Sequence, residues 1–326
     1  MGRAGRYQRG MLDTETRVPF QAAFRSDVLR GLSGPRKSLP ARWLYDDHGS
    51  ALFEVIASLE EYYPTRTETA ILTASAQEIA QFVGPGAVLL EYGAGAALKT
   101  EILLSALAPT AYVPVDIAGD FLAASAVRLA GRFPGLDVRP CVADFTVDFE
   151  LPDDLPPGRT VGFFPGSTIG NLAPDEAKDF LRRMASHVGQ GGAGLIGVDL
   201  KKDLEPLLAA YDDREGVTAR FNLNLLVRIN RELGGNFDIG AFKHQARWNP
   251  MDSAVEMHAV STRAQTVVAA GQTFAFEAGE SIHTESSRKY DLQQFADLAT
   301  ASGWRVGPVW TDSEDRFAVV ALIVPG

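Results

Sequence analysis

Residues 91–100 read EYGAGAALKT. The apolar run AVLL ends just before them and the helix-forming KTEILLSAL starts at Lys99, so a glycine turn stands where a strand feeds a helix. In an open α/β sheet this junction lies at the carboxyl ends of the strands, where ligands bind. Gly93 and Gly95 allow the backbone to come close to a ligand, and Glu91 precedes them in an E-x-G-x-G arrangement.

The pattern continues outward from this turn. AYVPVDI at 111–117, DVRPCVADF at 137–145, TVGFFPGS at 160–167 and GLIGVDL at 194–200 read as strands. GDFLAASAVRLAGRF and PDEAKDFLRRMASHV between them read as helices, the latter with Pro174 in its first turn and Gly189 as its stop. Such alternation predicts βαβ units and a parallel sheet. Near the end, DLQQFADLATASG reads as a helix, and WRVGPVWTD and RFAVVALIVP flank the turn-forming SED. Two runs so close cannot be parallel neighbours without a crossover, so they are expected as an antiparallel hairpin. Between Lys201 and about Ser286 the rhythm is lost, which marks an insertion that packs with the helix-rich segment before the first strand. The expected fold is α/β: a Rossmann-like domain with a mostly parallel seven-stranded sheet over 70–201 and 287–326, and a smaller α+β substrate domain over 16–69 and 202–286. Residues 1–15 are expected to form a flexible arm.

A dinucleotide fingerprint needs a third glycine, and an acidic residue about 20 positions further on for a ribose hydroxyl. Leu98 occupies the third glycine position. S-adenosylmethionine has no pyrophosphate to seat on the helix N-terminus, so the turn suits it better. Asp116 closes the second strand and can accept ribose hydroxyls, and Asp144-Phe145 closes the third, suited to an adenine amine and ring face. Each residue alone has an ordinary reading as a turn or a cap; together at three strand ends they favour a methyltransferase.

Composition narrows the partner. The chain has 326 residues, 46% of them hydrophobic, enough for a large core, and a formal net charge of −10. That charge disfavours nucleic acid or an anionic membrane surface. No stretch approaches the roughly 18 apolar residues of a membrane span. The arginine-rich start lacks an apolar signal region, and Arg6 breaks the myristoylation pattern that Gly2 opens. Cys141, the single cysteine, rules out an intrachain disulfide and is expected to be a small buried residue. The five histidines show no close ligand spacing, so no metal is expected. A cytoplasmic monomer is the expectation.

Longer stretches carry a resemblance. SLPARWLYDDHGSALFEVIASLEEYYPTRTE at 38–68, EYGAGAALKT, PGSTIGNL at 165–172, the run at 199–238 that includes AAYDDREGVTARFNLNLL, RAQTV at 263–267 and TESSRK at 284–289 are together similar to the histidine-specific Nα-methyltransferases of ergothioneine biosynthesis. The resemblance runs from about Phe24 onward. It implies S-adenosylmethionine as cofactor and up to three methyl transfers to the α-amine of L-histidine, giving hercynine. By motif it assigns Tyr63, Asn171 and Tyr211 to the amine and carboxylate as the catalytic set. Glu285 and Ser287 fall to the imidazole, Met257 and Thr218 to the pocket wall, and Gly93, Gly95, Lys99, Asp116, Asp144, Phe145 and Tyr45 to the cofactor. Leu98 and Arg288 depart from residues common in that family.

The residue types suit the chemistry. Methyl transfer from a sulfonium is an in-line displacement, so alignment of a neutral amine matters more than a strong base. No histidine, lysine or second carboxylate stands in the motifs expected nearest the amine, so its proton is expected to leave through hydroxyls or water. A neutral Asn171 amide and a Tyr211 hydroxyl can hold a carboxylate without a cation that would repel the sulfonium. Aromatic faces such as Tyr63 and Tyr45 attract the cationic product. The alternatives are N-methylation of another amino acid and a SAM-binding regulatory subunit without catalysis.

Overall fold

The computed structural model describes residues 14–95 and 99–326. Leu98 and most of the expected arm lie outside the described residues.

Helix α1 (Thr14–Ser33) leads through a 3-10 turn at Ala41–Leu44 to α2 (Asp47–Ser58), α3 (Tyr63–Ala74) and α4 (Ala76–Val83). The βαβ series follows with β1 (Val88–Tyr92), α5 (Thr100–Leu107), β2 (Ala111–Asp116), α6 (Gly119–Arg132), β3 (Asp137–Val138), β4 (Cys141–Val142), β5 (Thr160–Phe164), α7 (Pro174–Val188) and β6 (Ala193–Asp199). The insertion contributes α8 (Leu204–Ala209), α9 (Val217–Leu233), β7 (Phe242–Asn249), β8 (Ala254–Ser261), β9 (Gln265–Ala269), β10 (Gln272–Phe276) and β11 (Ser281–Arg288). The chain closes with α10 (Leu292–Ala301), β12 (Arg305–Thr311) and β13 (Phe317–Ile323).

Among the described residues the main sheet has eight strands in the order β12-β13-β6-β5-β1-β2-β3, with β4 also paired to β2. The expected third strand is split in two, because Pro140 has no N–H to give the ladder. The β1, β2, β5 and β6 pairings are parallel, while β13 runs antiparallel between β6 and β12. Every residue of β1 and β6 is buried, as expected of strands covered on both faces. Alternation sends Val88 and Leu90 to one core with Phe164, Phe180 and Phe295, and Leu89 to the other with Phe163, Leu103 and Leu129.

A third core joins Phe24, Trp43, Tyr62, Phe221, Leu225, Met257 and Ile282, drawn from the N-terminal helices and the insertion. It lies against the antiparallel sheet β11-β8-β7, with β9 and β10 as a separate hairpin. The boundaries expected at 69/70 and 286/287 fall inside α3 and β11, so continuous elements, not linkers, carry the chain from this core to the main sheet. Cys141 is half-buried rather than a core residue, since β4 is a short edge strand.

Candidate active site

A cavity of about 930 Å³ opens at the carboxyl ends of β1, β2, β4 and β5 and is roofed by β11, α9 and the N-terminal helices. The glycine turn forms its floor. Gly93 and Gly95 adopt φ of +69° and +49°, a left-handed backbone that glycine takes without steric cost. The turn is tied from behind by Glu91, fully buried, which accepts from Thr100 Oγ1 at 2.5 Å and from the Tyr112 hydroxyl. Burial pushes its carboxyl up to about 7.

Asp116 accepts from the Gly95 and Ala118 N–H groups, both at 2.9 Å, and burial raises its carboxyl above the usual range against those two hydrogen bonds. It lines the cavity with Gly93 and Gly95, as does Phe145, whose ring would lie 3.4 Å from a Cβ at Gly93. Asp144 also lines it, but its carboxylate already accepts from Thr146 and from Arg42 at 3.0 Å. Lys99 reaches across to Glu68 at 2.5 Å, and the wholly buried Glu68 carboxylate also accepts from the Gly166 N–H.

The far end of the cavity is built on β11, whose residues 285 and 287 share one strand face. Glu285 accepts from the Asn171 amide at 3.1 Å and from the Tyr45 hydroxyl at 3.2 Å. Burial pushes its carboxyl up to about 7, opposed by the Tyr45 bond and by Lys289. Met257 stands opposite Glu285 in register on β8, and Thr218 closes the wall from the first turn of α9, where its N–H is capped by Asp213 at 2.7 Å. The Tyr211 hydroxyl donates to Ser287 Oγ at 2.6 Å.

Two of the expected tyrosines have partners that the sequence did not indicate. Tyr45 lines the cavity and donates to Glu285, the residue expected at the imidazole, because the 3-10 turn before it delivers its ring between Phe53 and Phe221. Tyr63 does not line the cavity; its neighbour Tyr62 does. The Tyr63 hydroxyl turns away to donate to Asp199 at 2.8 Å and accepts from Lys202 Nζ at 2.8 Å. Burial and the Asp199 charge raise its phenol well above the ordinary range.

Sequence reasoning missed Glu68, Asp199, Lys202, Lys289 and Arg42. Asp199 had a visible signal, since it ends the strand GLIGVD just as Asp116 ends PVD. It pairs with Lys202 at 2.5 Å and Lys289 at 2.6 Å, all three largely or wholly buried. Glu68 and Lys289 lie within the quoted motifs, where neither is given a role. Among the described residues no group of three His, Cys, Asp or Glu side chains is arranged as metal ligands, and no helix is long and apolar enough to cross a membrane.

A parallel sheet extended by one antiparallel strand inserted beside β6, with its ligand cavity at the strand ends, is the architecture of a class I SAM-dependent methyltransferase. The family model for histidine-specific, SAM-dependent methyltransferases matches residues 24–324, and the chain belongs to that family. It is 41% identical to a histidine N-alpha-methyltransferase of Mycobacterium tuberculosis (strain CDC 1551 / Oshkosh), over 91% of this chain and 94% of the relative. It is 38% identical to the protein of the same name from Mycolicibacterium smegmatis (strain ATCC 700084 / mc(2)155), with the same coverage. A solved S-adenosylmethionine-dependent methyltransferase from Clostridium acetobutylicum ATCC 824 aligns with a TM-score of 0.47 at 11% identity, over 83% of this chain and 95% of that one. The cofactor is S-adenosylmethionine.

Proposed function

We propose that the protein transfers methyl groups from S-adenosylmethionine to the α-amine of L-histidine, up to three times, giving hercynine for ergothioneine biosynthesis. The observation that carries this reading is Glu285, a carboxylate buried at the end of the cavity opposite the glycine turn and steadied by Asn171 and Tyr45. A buried carboxylate with spare lone pairs asks for a ligand N–H, and an imidazole supplies one in a charge-assisted bond.

S-adenosylmethionine, when bound, supplies an electrophilic methyl group on a sulfonium. The chain's residues fit it: Asp116 offers a carboxylate to the ribose hydroxyls, Phe145 a ring face to adenine, and Gly93 and Gly95 open space at the backbone. Asp144 serves as a backbone-fixed acceptor shared with Arg42. Lys99, neutralised by Glu68, closes this side without leaving an unpaired cation near a sulfonium.

Histidine is held by its ring and its carboxylate, which orients the amine toward the turn. In this reading Glu285 and Ser287 take the imidazole, Asn171 offers its second amide N–H to the carboxylate, Tyr211 orders Ser287 and does not itself donate to the carboxylate, and Met257 and Thr218 pack the remaining wall. Tyr63 acts from behind by anchoring Asp199 and not as the aromatic beside the amine. Tyr45, Tyr62 and Phe53 give the cationic product aromatic faces, worth roughly 0.5–2 kcal/mol. The labour divides along the chain: residues 70–201 and 287–326 hold the cofactor, and residues 16–69 and 202–286 supply most of the amino-acid pocket, into which Asn171 and Ser287 also reach. The acidic chain with one half-buried cysteine suits a reducing, cytoplasmic setting, and a monomer is the accompanying expectation, which light scattering on the eluting protein tests.

The test is mass spectrometry of the purified protein with S-adenosylmethionine and an equimolar mixture of the common amino acids. Histidine alone should gain three methylene increments. A gain on another amino acid would keep the cofactor assignment and overturn the Glu285 reading; no gain at all would support a SAM-binding subunit without catalysis.

A further inference from the structure

Behind the substrate end of the cavity lies a charge that the proposed mechanism does not use. Lys289 follows β11 and is 2% exposed. Its ammonium group makes three contacts, to Asp199 Oδ2 at 2.6 Å, Ser287 Oγ at 2.9 Å and the Tyr211 hydroxyl at 3.0 Å. Lys289 and Asp199 do not line the cavity, whereas Tyr211, Ser287 and Glu285 do.

A lysine ammonium has three donors and no acceptor. With one proton on Asp199, the other two must go to the two hydroxyl oxygens, and each hydroxyl then has to send its own proton elsewhere. Tyr211 and Ser287 are 2.6 Å apart and share one of those protons, Tyr211 donating to Ser287. One O–H proton remains, that of Ser287, a residue that lines the cavity. Two residues away on the same strand face Glu285 is an acceptor, already engaged by Asn171 and Tyr45 donors.

We propose that Lys289, clamped by Asp199, is a specificity-determining positioning residue that obliges Ser287 to donate into the pocket, so that the site takes a ring with one N–H for Glu285 and one unprotonated nitrogen for Ser287. This inference rests on the histidine reading above and deepens it: the ring selected is a neutral imidazole. A pyrrole-like ring has no lone pair for Ser287, and an imidazolium has a second N–H pointing at an O–H. Asp199 keeps the arrangement rigid, because Tyr63 and Lys202 saturate the rest of its carboxylate.

The experiment compares steady-state methylation of histidine with that of a pyrrol-2-yl-alanine isostere, which keeps an N–H but lacks the acceptor nitrogen. The variants are Ser287→Ala, Lys289→Met and the charge-neutral pair Asp199→Asn/Lys289→Met, which leaves no buried carboxylate without its cation. The wild type should favour histidine over the isostere by about 10- to 100-fold in kcat/KM, the size expected when a buried donor is left unpaired. Ser287→Ala and the double variant should raise the KM for histidine about 10-fold or more and reduce that preference to about 3-fold or less, with the KM for S-adenosylmethionine within about 2-fold of wild type. Combining Lys289→Met with Ser287→Ala should add almost nothing to Ser287→Ala alone, since both act through one hydroxyl. A general structural loss would lower both substrates together and leave the preference intact. Full preference retained in Ser287→Ala, or in a cooperatively melting double variant, overturns the inference while leaving histidine methylation standing. A wild type that does not methylate histidine overturns the reading beneath it, before any variant is made.

Discussion

At the scale of single residues, Glu285 carries the most informative chemistry. Its folded-state carboxyl, raised by burial to about 7, lies above the ordinary glutamate range. The folded protein therefore holds this proton more tightly than the unfolded chain, so the group's contribution to stability is full below the ordinary range and is lost as pH rises to about 7. An imidazole N–H favours the ionised form, so histidine binding should expel a proton near neutrality. Calorimetry should show histidine affinity improving from pH 6 to pH 8, and Glu285→Gln should abolish the part of that slope that belongs to Glu285, leaving the titration of histidine itself. Glu285→Ala should raise the histidine KM by about 10-fold or more with little effect on the cofactor, from the loss of a charge-assisted bond. An unchanged KM removes Glu285 from the ring. Asp116→Ala should do the opposite, weakening S-adenosylmethionine in equilibrium titration while histidine saturation holds; unaltered cofactor affinity refutes the ribose role.

At the scale of elements, the glycine turn is held by hydrogen bonds made behind the cavity floor. Glu91 ties β1 to the first turn of α5 through Thr100 and to β2 through Tyr112. Glu91→Ala strands two buried hydroxyls, at a cost of about 1–3 kcal/mol each. Thermal melts should show a lower Tm, and the rise on adding S-adenosylmethionine should shrink because the turn is no longer fixed. On β6, a Cβ at Gly197 would lie 2.1 Å from Glu68 Oε1 and 3.1 Å from the Gly166 N. Gly197→Ala should displace Glu68, free Lys99 and weaken the cofactor in the same titration, although residue 197 itself lies behind the cavity wall. A variant with wild-type affinity would separate the Glu68–Lys99 pair from cofactor binding.

At the scale of the whole molecule, the two sides of the cavity are joined by Arg42. It bridges Asp27 of α1 at 2.6 Å and Asp144 after β4 at 3.0 Å, and Asp27 also accepts from Trp43 Nε1 at 2.9 Å. Arg42 is only partly buried and Asp27 also pairs with Arg30, so removing Arg42 costs less than breaking a fully buried pair but leaves Asp27 and Asp144 without the cation that links them. Arg42→Met should lower Tm by several degrees and make the molecule easier to cleave near α1 in limited proteolysis. Saturating S-adenosylmethionine should restore part of the loss by mass action. Unchanged cleavage would show that the N-terminal helices are held by their apolar core alone.

What the sequence determined by itself was the sheet, its order of crossing helices and the identity of the residues at strand ends. Those features depend on local periodicity, on proline and glycine punctuation and on the parallel-crossover rule, all written in short windows. Gly93, Asp116 and Phe145 were legible in the same way, Asn171 and Glu285 only through the family resemblance, and all five come together around one cavity. Which of two adjacent tyrosines enters that cavity was not legible, because a rotation of one helical residue decides it and Asp199, 136 residues away, claims the Tyr63 hydroxyl. Nor does the sequence give Lys289 a role. Only tertiary structure buries it, since the partners that satisfy its three protons come from β6, β11 and the loop after α8, and electrostatic pairing across such distances leaves no periodic trace in the chain.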